Sequence, residues 1–99
     1  MQPPPAQDYN IAEKIVEIHN EEGLHMRPAM KFVDCANSFE SKITVSKGPL
    51  VVDGKSIMQV TTLVAGKGTQ LKISAAGNDA REAVDALAAL IDEIPGSEN

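Results

Sequence analysis

The sequence is poor in aromatic residues and in cysteine. Its 99 residues include no Trp, one Tyr and two Phe, so its core must be built from aliphatic side chains. The single cysteine, Cys35, excludes an internal disulfide, and no set of Cys and His residues has the spacing of a metal site. A chain of this length can form one compact core but not a two-domain enzyme with a cleft between its domains. Any chemistry is therefore expected at the surface, with help from a second protein.

Long apolar segments are also missing. The longest uninterrupted run, Ala86–Ile91, is far shorter than a membrane span. The first residues lack the basic segment and the apolar stretch of a signal peptide. Together with the single cysteine, these absences predict a cytoplasmic protein.

The charge is acidic overall but unevenly distributed. The net charge of −5 argues against nonspecific binding to nucleic acid. Residues 1–22 carry a net −4, residues 23–72 a net +4 and residues 79–99 a net −5. A basic middle segment in an acidic protein indicates a local site for anions, and scattered solvating charges are the alternative explanation.

Hydrophobic periodicity predicts one domain over residues 13–94, between a flexible Pro-rich tail (residues 1–12) and a short C-terminal tail (residues 95–99). Alternating segments predict four strands, near residues 16–19, 42–46, 50–53 and 69–75. Helical spacing predicts helices from Met26 to about Asn37, from Ile57 over about two turns, and from residue 80 onward, capped by Asn78 or Asp79. The order of these elements predicts an α+β open-faced sandwich with its helices on one face.

The most informative segment is Gly23-Leu24-His25-Met26-Arg27-Pro28-Ala29. Pro28 fits the first turn of a helix, which places His25 at or just before the helix start. The free amides of a helix N-terminus, together with Arg27, favour an anion and disfavour a protonated ring. A neutral imidazole beside such groups can accept a phosphoryl group. A simple anion site, or a histidine that only caps the helix, fits the same pattern.

Ser56 is the second candidate. It follows Lys55 and is the predicted N-cap of the second helix, a position that tolerates an added phosphate. Plain capping is the competing interpretation.

Methionines form a third group. If Ile57 packs inward, Met58 points outward, and with Met26 and Met30 it would form an exposed patch near His25. Methionine side chains adapt to partners of different shape, although core packing is the alternative for each of them.

These motifs together resemble the HPr family, the small histidine phosphocarriers of the bacterial phosphoenolpyruvate-dependent phosphotransferase system. The likeness rests on the Gly23–Ala29 segment and on Lys55-Ser56-Ile57-Met58, which begins 27 residues after Pro28. It covers about residues 14–93. It implies a four-stranded antiparallel sheet with three helices on one face, in the order βαββαβα.

The resemblance also implies the roles of the site residues. His25 would accept a phosphoryl group on Nδ1 from phosphorylated enzyme I and donate it to enzyme II A components for sugar uptake, while Arg27 would contact the phosphoryl group. Ser56 would match the serine that an HPr kinase/phosphorylase modifies. The docking surface would consist of Met26, Met30, Ile57 and Met58. A monomeric carrier without cofactor or metal, rather than an enzyme, is expected.

The sequence departs from the family pattern at its Pro-rich tail, at Met26, where a smaller residue is common, and at Val64, where glycine is usual. Because valine resists positive φ, we expect the end of the second helix to differ from that of family members with glycine at this position. Two alternatives remain: a regulatory paralogue of a nitrogen-related or signalling branch, and a noncatalytic binding module. The presence of both His25 and Arg27 favours the carrier.

Overall fold

The computed structural model describes residues 10–95. Its helices and strands follow the predicted order: β1 (Ile11–Glu17), α1 (Met26–Asn37), β2 (Lys42–Lys47), β3 (Leu50–Asp53), α2 (Ile57–Thr61), β4 (Gln70–Ala76) and α3 (Ala80–Asp92). β1 begins at Ile11, so it includes two residues that the sequence pattern assigned to the N-terminal tail. The rest of that tail up to residue 9, and residues 96–99, lie outside the described residues.

The four strands form one antiparallel sheet in the order β1–β4–β2–β3. The central strand β4 pairs with β1 through seven residue pairs and with β2 through five. The short turn at residues 47–49 predicts an antiparallel hairpin of β2 and β3, and the pairing of Lys47 with Leu50 across this turn confirms it. β1 and β3 are the two edges of the sheet.

Alternation along the strands separates a helix-covered face from a solvent face. The residues of β2 and β4 that point toward the helices are buried in the core: Ile43, Val45, Leu71, Ile73 and Ala75. On the opposite face, Ile11, Ile15 and Val51 are exposed. α3 packs against β1 and β4, and α1 packs against α3 and α2. The predicted open-faced α+β sandwich is therefore confirmed.

The two long helices bury the apolar stripes that predicted them. α1 begins and ends at the predicted residues, and its buried side chains are Pro28, Ala29, Phe32, Val33 and Ala36. In α3 the buried side chains are Ala80, Ala83, Val84, Leu87, Ala88 and Ile91. Within residues 10–95, no helix combines the length and the apolar character needed to cross a membrane.

Asp79 has a different role from the predicted cap. It occupies the N-cap position of α3, but its side chain makes no bond to that helix. Its carboxylate instead accepts a hydrogen bond from the Ser41 hydroxyl and 2.9 Å hydrogen bonds from the amides of Glu40 and Ser41. These hydrogen bonds hold the pKa of Asp79 below its usual range, and the bond from the Ser41 hydroxyl contributes most. The carboxylate therefore ties the start of α3 to the start of β2.

The second helix is shorter than predicted. The apolar spacing up to Val64 predicts about two turns, but α2 has five residues and ends at Thr61. Val64 lies beyond it, 78% exposed, with φ at 47°. Lys47 Nζ donates hydrogen bonds to the carbonyl oxygens of Leu63 at 2.7 Å and Val64 at 3.3 Å. A branched side chain is thus held in the left-handed conformation that glycine adopts without strain.

We expect Val64→Gly to stabilise the protein by about 0.5–1 kcal/mol, because relief of the left-handed strain exceeds the added entropy of the unfolded chain. Urea denaturation would measure the change. Val64→Ala is the matched control, since it also removes the exposed apolar side chain but keeps Cβ. A glycine variant no more stable than the alanine variant would contradict the assignment of strain.

Candidate functional site

The turn before α1 is built on a close backbone contact. Gly23 has φ at 71°, and a Cβ at this position would lie 2.4 Å from the carbonyl oxygen of Ala65 and 2.8 Å from Gly66 Cα. The amide of Leu24 donates a 2.8 Å hydrogen bond to the same Ala65 carbonyl. Only glycine allows this approach, so Gly23 fixes the chain against the loop between α2 and β4.

A buried asparagine closes the same turn. Asn20 is 5% exposed, and its Nδ2 donates a 2.8 Å hydrogen bond to the Gly23 carbonyl, while the Gly23 amide donates to the Asn20 carbonyl at 3.1 Å. Asn20 was not among the site residues predicted from the sequence. Its signal was the spacing of Asn and Gly typical of a turn.

His25 occupies the N-cap position of α1, as predicted. Its backbone is extended, with φ −79° and ψ −176°, and its carbonyl accepts the Ala29 amide at 3.0 Å. The side chain makes no capping hydrogen bond, which speaks against a histidine that serves only as a cap. Because Pro28 has no N–H, three rather than four amides at this helix start lack a bonded partner within residues 10–95, and two of them, those of Met26 and Arg27, follow the histidine.

A carboxylate that the sequence analysis did not single out lies beside the His25 ring. Glu22 Oε1 is 3.1 Å from His25 Nε2, and the two side chains are 66% and 40% exposed. The available signal was an acidic residue three positions before the histidine. The neighbouring Glu21 pairs elsewhere, with Lys67. Within residues 10–95, no group of three potential ligands among His, Cys, Asp and Glu could hold a metal ion.

Four of the seven basic side chains in residues 23–72 bind or lie beside other groups of the same chain. Lys47 binds carbonyl groups at the end of α2, and Lys55 donates a 2.7 Å hydrogen bond to the Phe39 carbonyl. Lys67 and Lys72 each lie beside a glutamate. In the part of the chain that the structure describes, the cations of this segment without a bonded or ion-paired partner are Arg27, Lys31 and Lys42.

Ser56 is the N-cap of α2, as predicted. Its Oγ accepts a 3.2 Å hydrogen bond from the Gln59 amide, and its own amide donates to the Asp53 carbonyl at 3.2 Å. The side chain is half-buried rather than freely exposed. The next two residues, Ile57 and Met58, point in different directions, since Ile57 is half-buried and Met58 is 79% exposed.

The predicted methionine patch exists as a groove between α1 and α2. Its volume is about 420 Å³, and its lining is mostly apolar: Met26, Met30, Val33, Asp34, Ile57, Met58 and Thr61. All three predicted methionines are exposed rather than packed in the core. One lining residue, Met26, directly follows His25 in the chain. The structure therefore places the predicted docking residues together, beside the histidine.

Cys35, the single cysteine of the chain, lies in α1. It is partly buried against the core, and burial raises the pKa of its thiol. A thiol with a raised pKa is less often the reactive thiolate, so packing rather than chemistry is the expected role of Cys35.

The fold and the site define a class of small α+β proteins that present one histidine at the start of a helix. A family model described as the PTS HPr component phosphorylation site matches residues 12–93. The chain therefore belongs to the HPr family of phosphocarrier proteins, which are carriers of the phosphotransferase system rather than catalytic enzymes.

Individual relatives agree with this assignment. The phosphocarrier protein HPr of Vibrio cholerae is 46% identical over 82 residues, which is 83% of this chain and 96% of the relative. The crystal structure of HPr from Bacillus anthracis matches with a TM-score of 0.77 and 40% identity, over 81% of this chain and 95% of that chain.

A relative with a different name also matches. The catabolite repression protein Crh of Bacillus subtilis, crystallised as a domain-swapped dimer, is 40% identical with a TM-score of 0.67, over 79% of this chain and 90% of that chain. The family thus includes members that are not named as phosphocarriers, and monomeric assembly remains a prediction for this chain.

We expect Gly23→Ala to destabilise the protein by about 2–5 kcal/mol, since the new methyl group adds backbone overlap to the strain of positive φ. Gly48→Ala is the matched control. Gly48 also has positive φ, 55°, but a Cβ there would meet nothing within 4 Å. This variant should lose only about 1 kcal/mol. Equal losses in urea denaturation would show that the contact with Ala65 does not constrain the turn.

Proposed function

We propose that this protein carries phosphoryl groups on His25, accepting them from phosphorylated enzyme I and passing them to enzyme II A components in sugar uptake. The observation that carries the proposal is the exposed His25 ring at the uncapped start of α1. Membership of the HPr family supports the general activity. The partners and the sugar-uptake branch go beyond that membership and are part of the proposal.

The local chemistry suits a transient phosphoryl group. The free amides of Met26 and Arg27 lie at the positive end of the α1 dipole, where an anion is stabilised. The Arg27 guanidinium has no bonded or ion-paired partner within residues 10–95 and is suited to phosphoryl oxygens. Because two amides and one arginine at the surface hold the group only weakly, transfer can proceed in both directions.

The alternatives predict different uses of His25. In a noncatalytic binding module, the histidine would only cap the helix, but its side chain makes no capping bond. A regulatory paralogue is the stronger alternative, because a Crh protein is among the relatives. The carrier is favoured because Arg27, two residues after His25, has no ion-paired partner within residues 10–95.

The groove between α1 and α2 is the proposed docking surface for both partners. It presents Met26, Met30 and Met58 beside the phosphoryl site, and methionine surfaces adapt to partners of different shape. Arg27 and Lys31, four residues apart on α1, lie on the same side of the helix and would favour an acidic partner surface. We propose a small, short-lived contact in the cytoplasm, with a monomer as the working unit.

Ser56 is the proposed regulatory site, a substrate for an ATP-dependent HPr kinase/phosphorylase. A phosphate on its Oγ would stand at the start of α2, next to Ile57 and Met58 of the groove. Two negative charges beside an apolar docking surface would weaken partner binding.

We expect incubation with phosphoenolpyruvate and enzyme I to add one acid-labile phosphoryl group, and His25→Ala to abolish it while the fold is kept. Intact-mass measurement before and after acid treatment would show this. His19→Ala is the matched control, since His19 is also exposed but lies outside any helix. Labelling that persists in His25→Ala would refute the site, and an unlabelled wild type beside a labelled known HPr would refute the carrier function.

For Ser56, we expect acid-stable phosphorylation by an HPr kinase/phosphorylase with ATP, lost in Ser56→Ala and kept in Ser38→Ala, which alters an exposed serine at the end of α1. The Ser56 variant should also lose about 1 kcal/mol of stability with its cap. Mass spectrometry would locate the phosphate. Unchanged labelling of Ser56→Ala would move the regulatory site elsewhere.

A further inference from the structure

The carboxylate of Glu22 makes a polar contact with the His25 ring. Its Oε1 lies 3.1 Å from His25 Nε2. Because an ionised carboxylate only accepts hydrogen bonds, a lone pair on Nε2 would face it unfavourably. The contact therefore favours the ring form that carries its hydrogen on Nε2, in which Nδ1 has the free lone pair.

We propose that Glu22 is a positioning residue for phosphoryl transfer: its carboxylate keeps the ring hydrogen on Nε2, which leaves Nδ1 as the nucleophile, and offsets the positive charge that the ring gains. This inference rests on the proposed function, because it concerns the same histidine.

Glu22 does not need to take up a proton during the transfer step. The Nδ1 lone pair forms the N–P bond while the bond from phosphorus to the donor atom breaks, and its electron pair leaves with the donor. Nε2 keeps its hydrogen, so the phosphorylated ring is cationic. Glu22 Oε1, already beside Nε2, stabilises that cation, as a carboxylate behind a catalytic imidazole does in other sites. In the reverse step, the same hydrogen on Nε2 keeps the ring a good leaving group.

The exposure of Glu22 and His25 sets how much the loss of Glu22 should slow phosphoryl transfer. Both side chains are partly in water, at 40% and 66% exposure, and exposed charge pairs are worth little compared with buried ones. Removing the charge should slow phosphoryl transfer to His25 by about two- to fivefold rather than abolish it. Glu21 provides the matched control, since it is the adjacent acid, similarly exposed, and pairs with Lys67 instead.

The test uses three full-length variants: Glu22→Gln, which keeps size and an acceptor oxygen, Glu22→Ala, which keeps neither, and Glu21→Gln. Phosphoramidate serves as the donor, because this small molecule needs no protein docking. We expect both Glu22 variants to be phosphorylated about two- to fivefold more slowly than the wild type, with Glu21→Gln unchanged. Circular dichroism would confirm that all three remain folded.

A second readout separates positioning from a merely structural role. In ¹⁵N NMR of the neutral imidazole, we expect the hydrogen on Nε2 in the wild type and in Glu22→Gln, and a mixture of both ring forms in Glu22→Ala. Wild-type rates and ring signals in both Glu22 variants would overturn the proposal. An equal effect of Glu21→Gln would also overturn it, as would a loss seen only with phosphorylated enzyme I, which would assign Glu22 to docking.

Failure of this inference and failure of the proposed function are distinguishable. A wild type that reacts with phosphoramidate but not with phosphorylated enzyme I would refute the proposed partner, and the Glu22 comparison would still be decided. Normal transfer from enzyme I in all variants, with unchanged ring signals, would refute the role of Glu22 and leave the carrier function intact.

Discussion

The site depends on one constraint, the close backbone contact of Gly23 with Ala65 and Gly66. This contact, with the 2.8 Å bond from the Leu24 amide to Ala65, fixes where the chain leaves β1 and where α1 begins. The start of α1 in turn fixes the free amides, the His25 ring and Arg27. The buried stripe of α1 then orients the helix on the sheet. The position of the histidine is thus a consequence of backbone packing rather than of contacts made by the ring itself.

A carrier differs from an enzyme in how strongly it should hold its phosphoryl group. Strong binding would trap the group, so a surface site with few donors is an advantage for transfer in both directions. In the proposed site at His25 the donors would be two amides and one arginine, and the carboxylate of Glu22 lies beside Nε2 of the ring. As the proposed docking surface, the mostly apolar groove beside the site would add contact area for partners with few groups that could bind phosphate.

Much of this arrangement could be predicted from the sequence. Element order, the β2–β3 hairpin and the start of α1 follow from apolar spacing and from Pro28, because local periodicity reports which face is buried. Contacts between distant segments could not be predicted this way. The carboxylate of Asp79 bonds to a turn 38 residues away, and Val64 continues an apolar spacing yet lies in solvent with positive φ. The contact of Glu22 with His25 could not be predicted either, because an exposed acidic residue before a helix is common in sequences.

The most direct test of the account is NMR of the protein labelled with ¹⁵N in histidine, recorded before and after phosphorylation by phosphoenolpyruvate and enzyme I. We expect one phosphoryl group on Nδ1 of His25, a hydrogen that stays on Nε2, and unchanged signals of His19. A phosphoryl group on Nε2, or on any residue other than His25, would contradict it.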